Sequence, residues 1–125
     1  MKSDIVPILM AVAGGDLGTL SIEWHDKAAV CVVMAAEGYP GEYRKADAID
    51  GLTDAAQIED VYVFHAGTAF KDGTCVTNGG RVLGVTALGS SVRQAIGTAY
   101  KAVKCINWKG VQFRSDIGRK ALGRT

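Results

Sequence analysis

Apolar positions along this chain change period several times, and each change marks an element. Ile5, Ile8, Leu9 and Val12 recur at helical spacing behind Ser3, whose hydroxyl can accept from the free N–H groups of a first turn. Pro7 falls in the first turns, where a missing N–H is tolerated, and Gly14-Gly15 ends the helix. Leu20, Ile22 and Trp24 then alternate with Ser21 and Glu23, which predicts a half-buried strand, and His25-Asp26-Lys27 predicts a turn. Ala29 to Ala36 is a continuous apolar run rich in valine. Its length and branching predict a central strand buried on both faces. Gly38-Tyr39-Pro40-Gly41 follows as a rigid loop.

The middle of the chain is cut into shorter pieces. Tyr43 to Ile49 predicts a short strand, Thr53 to Ile58 one or two helical turns, and Val61 to His65 a further strand. Asp72-Gly73, inside Lys71 to Thr74, is the signature of a tight hairpin. Cys75 to Thr77 leads into Asn78-Gly79-Gly80, which reads as a second glycine turn, and Arg81 to Leu88 as the next strand. Ser91 and Gln94 have the form of a capping box, and Val92, Ile96, Ala99 and Val103 predict an amphipathic helix from Val92 to Cys105. Val111 to Arg114 predicts a last strand, and Ser115 to Thr125 a basic, polar tail prone to fraying. Hairpin-joined strands pair antiparallel, so the fold class is α+β: a small, mostly antiparallel sheet or partial barrel with a packed helix.

At 125 residues the chain suits one domain with a real core. A formal net charge of +1 gives no electrostatic reason to expect nucleic acid or an anionic membrane as partner. The apolar run from Ile5 to Ala13 is too short to span a bilayer. Cys31, Cys75 and Cys105 are scattered, odd in number and outside any CxxC pair, which reads as reduced thiols in the cytoplasm. Neither GxGxxG nor GxxxxGK[ST] occurs, and HExxH and GxSxG are missing too. No self-sufficient active site follows from these residues, so no catalytic residue and no metal ligand is assigned.

One local feature carries chemistry. In Asn78-Gly79-Gly80-Arg81 two glycines leave the backbone N–H groups open to an anion, and the arginine fork suits a phosphate or carboxylate. The same four residues also fit a plain hairpin turn whose arginine faces water. His65, ahead of Ala66-Gly67-Thr68, fits a strand-end hydrogen bond or a ligand contact equally well. His25 reads as a surface residue, and Lys101, Lys104, Arg119, Lys120 and Arg124 as solvated charges.

The ordered motifs resemble one family. Ala28 to Val33 (AAVCVV) and Gly38 to Gly41 (GYPG) are followed by Val63 to Thr68 (VFHAGT), Thr77 to Leu88 (TNGGRVLGVTAL) and Arg114 to Gly118 (RSDIG). This succession is similar to the C-terminal domain of the phosphoribosylamine–glycine ligases, in the ATP-grasp superfamily. The resemblance implies that residues 1–25 form a helix and strand leading out of an ATP-grasp domain and that residues 26–125 are the C-terminal domain. It implies an activity in purine synthesis, in which ATP and magnesium or manganese serve the full enzyme and glycine is joined to phosphoribosylamine. None of these cofactors is expected on this segment by itself, which is expected to be inactive. It further implies a phosphoribosyl contact at Arg81 with Gly79, Gly80 and Asn78, and a cleft shared with His65, Gly67 and Thr68. The implied partners are the amino-terminal and ATP-grasp domains, with self-association through the surface those domains would cover. Two other readings stay open: a stand-alone interaction domain without ligand, and a subunit of a split ligase.

Overall fold

A computed structural model describes residues 1–123; Arg124, one of the charges read as solvated, lies outside the described residues. In chain order the elements are α1 (Ile5–Gly14), β1 (Ala28–Ala35), α2 (Leu52–Ala56), β2 (Val61–His65), β3 (Thr68–Lys71), β4 (Thr74–Thr77), β5 (Arg81–Gly89), α3 (Val92–Cys105) and β6 (Gln112–Phe113). Single 3-10 turns cover Leu17–Thr19 and Arg119–Ala121. One four-stranded sheet runs β2-β5-β1-β6 with every pair antiparallel, and β3-β4 form a separate hairpin. The fold is α+β, as the pattern predicts.

The register of β1 on β5 sorts the sheet into two faces. Val30 pairs with Ala87, Val32 with Val85 and Met34 with Leu83, and all six are buried. Helix α3 covers this face with Ala95, Ala99, Ala102 and Val103. Three alanines on that stripe let the helix lie close to the sheet, so the seam is made of small residues, while Val92 and Ile96 only flank it. The opposite face pairs Val33 with Gly84 and Cys31 with Thr86, and β2 adds Tyr62 and Phe64 beside Thr86 and Gly84. No element packs over it among the described residues. The expectation that the valine-rich run is buried on both faces is therefore corrected. Cys31 and Val33 are exposed, because apolar composition marks a strand without saying how many of its faces are covered.

Further corrections have local causes. The cap of α1 is Asp4, whose carboxylate accepts from the Val6 N–H at 2.9 Å; Ser3 instead accepts from the Glu23 N–H at 2.8 Å. Glu23 also accepts from the Lys2 N–H, so the Leu20–Trp24 stretch spends its backbone on residues 2 and 3 and forms no strand. Residues 43–49 form no regular strand either. Ala46 sits at φ 64°, and the segment follows β4 only through one bridge, Ala48 to Val76, with flanking bonds. The capping box is shifted: Ser91 accepts from the Gln94 N–H, but the Gln94 side chain accepts from Ser90.

The expected hairpin at Asp72-Gly73 is present, with φ of 50° and 78° at its two central residues, as a two-residue primed turn requires. Asn78-Gly79-Gly80 is not a hairpin. Strands β4 and β5 belong to different sheets, and this segment carries the chain from one to the other. The tail is tied down rather than frayed over its first residues: the Tyr100 hydroxyl donates to the Arg114 carbonyl at 2.6 Å and accepts from the Ile117 N–H at 3.1 Å. The three cysteines are free thiols, Cys75 being buried. Among the described residues no helix is long and apolar enough to cross a membrane.

Helix α1 stands apart. It buries none of its residues, and Ile5, Val6, Leu9, Met10 and Val12 are all exposed.

Three outcomes follow from this packing. Met34→Ala empties a fully buried position and is expected to lower unfolding free energy by about 2–5 kcal/mol in urea titration. Gly97 lies within α3 with nothing within 4 Å of an added Cβ, so Gly97→Ala is expected to raise stability by about 0.5–1 kcal/mol in the same titration. The Arg114 guanidinium, at 2.7 and 2.9 Å from the Asp116 carboxylate, holds that carboxyl below its ordinary value. A depressed carboxyl stabilises the fold above its ordinary value and loses that contribution as pH falls through the folded one. Arg114→Ala is expected to move the Asp116 midpoint upward in a carboxyl-carbon NMR titration.

Candidate functional site

The glycine-rich segment before β5 and the end of β2 meet at one end of the sheet. Leu83 pairs with His65, and the Ala66 and Gly67 N–H groups both donate to the Val82 carbonyl at 3.0 Å. The Asn78 N–H then donates to the Gly67 carbonyl at 2.8 Å, which crosses the two segments. The crossing is possible only between glycines. A Cβ on Gly67 would stand 2.6 Å from the Arg81 carbonyl oxygen and 2.7 Å from the Gly79 Cα. A Cβ on Gly80 would run into the Tyr39 ring. Gly67, Gly79 and Gly80 are thus needed for close approach, and none of them adopts a left-handed φ.

A cleft of about 540 Å³ opens over this crossing, lined by Tyr39, Tyr43, Phe64, Gly67, Asn78, Gly79, Gly80 and Arg81 together with Val33, Ala66, Leu83 and Gly84. Of the described residues lining it, Arg81 alone carries a charge. The Gly79 and Gly80 N–H groups donate to no acceptor among the described residues. The Gly80 carbonyl, by contrast, is used, accepting from the Ala36 N–H at 2.8 Å. A cleft whose one charged residue is an arginine, with no carboxylate in the wall, favours an anion.

Five of the seven sequence-assigned residues line this cleft: Gly67, Asn78, Gly79, Gly80 and Arg81. His65 and Thr68 do not. His65 pairs with Leu83, whereas Phe64, one residue earlier, pairs with Gly84 and lines the cleft. His65 Nδ1 lies 2.9 Å from the Thr68 hydroxyl and 3.9 Å from the Cys75 sulfur, the strand-end bond that was one of its two readings. His25, Lys101 and Lys104 are exposed. Sequence reasoning missed Tyr43, Phe64 and Val33. The only signal available was parity along β2, which marks Phe64 once a neighbour's register is known.

A second, apolar groove of about 410 Å³ shares Val33 and Tyr39 with the cleft and continues over Cys31, Ala35, Phe113 and Ile117, with Arg114 at its rim. The described residues contain no group of three His, Cys, Asp or Glu side chains able to hold a metal ion.

The glycine crossing yields a direct check. Gly67→Ala is expected to lower stability by about 1–3 kcal/mol and to shift the amide resonances of Gly79 to Arg81, because its Cβ meets backbone that cannot swing aside.

The family model described as "Phosphoribosylglycinamide synthetase, C domain" matches residues 29–120. The phosphoribosylamine–glycine ligase of Synechocystis sp. is 55% identical over 98% of this chain, and that of Rhodopirellula baltica 50% identical over 98%. The chain spans 29% and 28% of the length of these two relatives. The crystal structure of phosphoribosylamine–glycine ligase from Thermotoga maritima superposes with a TM-score of 0.63 at 39% identity, covering 70% of this chain and 21% of that one. From the ordered motifs, the α+β sheet and the match over residues 29–120, the chain belongs to the phosphoribosylglycinamide synthetase C-domain family.

Proposed function

We propose that this chain forms the phosphate-recognising wall of the substrate cleft in a phosphoribosylamine–glycine ligase of the cytoplasm. The observation that carries the reading is the cleft wall: Arg81 as its one charged residue, next to Gly79 and Gly80, whose N–H groups have no acceptor among the described residues. In that reading the whole enzyme joins glycine to 5-phosphoribosylamine and converts ATP to ADP and phosphate. ATP and the metal belong to the other domains. This chain holds the 5′-phosphate of the amine substrate, far from the bond being made. Such remote contacts restrict the substrate's motion and place its amine for attack. The chain by itself then has an anchoring group and nothing to catalyse with.

The bare sheet face and α1 are the surfaces that the other domains would cover. Val33, Tyr62, Phe64 and Phe113 on the sheet, and Leu9 and Met10 on the helix, are all more than two-fifths exposed. Contiguous apolar area on this scale favours a partner. Without the other domains the same surfaces drive self-association. Sedimentation of the 125-residue chain is expected to give a species larger than a monomer; a clean monomer at high concentration speaks against it.

Activity tests the central reading. The chain is mixed with a phosphoribosylamine–glycine ligase truncated before its C-terminal domain, and ADP release dependent on both glycine and phosphoribosylamine is followed. Turnover is expected to return. Arg81→Ala is expected to raise KM for phosphoribosylamine roughly 10- to 100-fold, the value of a charge-assisted bond to phosphate. Absence of turnover from folded, docked protein would overturn the proposal.

A further inference from the structure

The cleft carries more than an anion needs. Tyr39, Tyr43 and Phe64 line it together with Arg81, and all three residues are partly open, Phe64 at 60% and Tyr39 at 37% exposure. Tyr39 rests on Gly80 by its Cδ2–Cε2 edge, which fixes the ring beside the residue that precedes Arg81. Neither the Tyr39 nor the Tyr43 hydroxyl has a hydrogen-bond partner among the described residues. Tyr43 also stands under the Lys45 ammonium at 5.8 Å from its ring centroid, so one of its faces is already engaged and Tyr39 is the freer platform. A phosphoribosylamine has a phosphate, a sugar and an amine, and no flat π surface. It uses the guanidinium and leaves the rings idle.

We propose that this cleft also takes a nucleoside 5′-monophosphate, with its phosphate on Arg81 and its base stacked on Tyr39, in competition with the phosphoribosyl substrate. The inference rests on the phosphate reading above and adds the base. Stacking on an aromatic ring tolerates any base, since each has a π face, so the aromatic wall selects the class rather than the letter. Aromatic contact of this kind adds to a phosphate contact that both ligands share. The consequence is regulatory: base-bearing nucleotides occupy the place of their own precursor.

Titration of the 125-residue chain with ribose 5-phosphate, adenosine 5′-monophosphate and adenosine, followed by calorimetry and amide chemical shifts, separates the two layers of the argument. Adenosine monophosphate is expected to bind about five- to tenfold more tightly than ribose 5-phosphate. Tyr39→Leu is expected to bring the ratio of the two affinities close to one, while Tyr39→Phe retains it. Arg81→Gln is expected to weaken both phosphates. Equal affinity of the two phosphates, or an advantage that survives Tyr39→Leu, overturns the stacking proposal and leaves the phosphate reading standing. Adenosine binding as tightly as its monophosphate, or no binding by either phosphate, overturns both.

Discussion

The ladder between β1 and β5 is the constraint on which the rest depends. It runs from Ala28 opposite Gly89 to Met34 opposite Leu83, with a register shift only at its last step, between Met34 and Ala35. Because side chains alternate strictly along paired strands, this one register decides everything that follows. It gives Val30, Val32 and Met34 to the helix side and Cys31 and Val33 to the open side. It brings β2 and β6 to the edges, and it sets Arg81 at the mouth of the sheet. A slip of one residue would send the valines to water and the cysteine to the core.

The energetic weight therefore lies on one side of the sheet. Three buried alanines on α3 meet the buried residues of β1 and β5. The small seam brings the helix backbone close enough that a Cβ on Gly89 would lie 2.6 Å from the Ala95 nitrogen. The other side holds apolar residues with no intramolecular cover, which in an isolated domain is a liability and in a larger protein is an interface.

How much was legible in the sequence depended on how local the cause was. The Asp72-Gly73 turn and helix α3 are dictated within a few residues of themselves, and both were readable to within one position. The Leu20–Trp24 stretch shows the limit: its alternation is real, but a strand needs a partner, and Glu23 is bonded instead to residues 2 and 3. The continuous apolar run of β1 predicted a strand correctly but not its open face, since exposure depends on what else is present. In the cleft the glycines and Arg81 were visible because glycine pairs next to an arginine are chemically distinctive. The reason for the glycines was not visible. They serve the crossing of Gly67 over Gly79 and the seat of Tyr39, and both contacts join residues distant in sequence. Tyr43 and Phe64 went unseen for the same reason, and His65 lies outside the cleft lining, opposite Leu83 on the neighbouring strand.

The crossing also sets how rigid the binding floor is. Arg81 opens the strand that carries the longest ladder, and Gly67 is bonded to the Val82 carbonyl in that same strand. The floor thus belongs to the most cooperative part of the molecule and has no independent way to open. An anion arriving there would meet backbone already fixed by the crossing, with little loop entropy left to lose. Tuning of this pocket is open at its aromatic rim and at the Arg81 side chain, whereas the glycine backbone of the floor cannot be altered without disturbing the crossing.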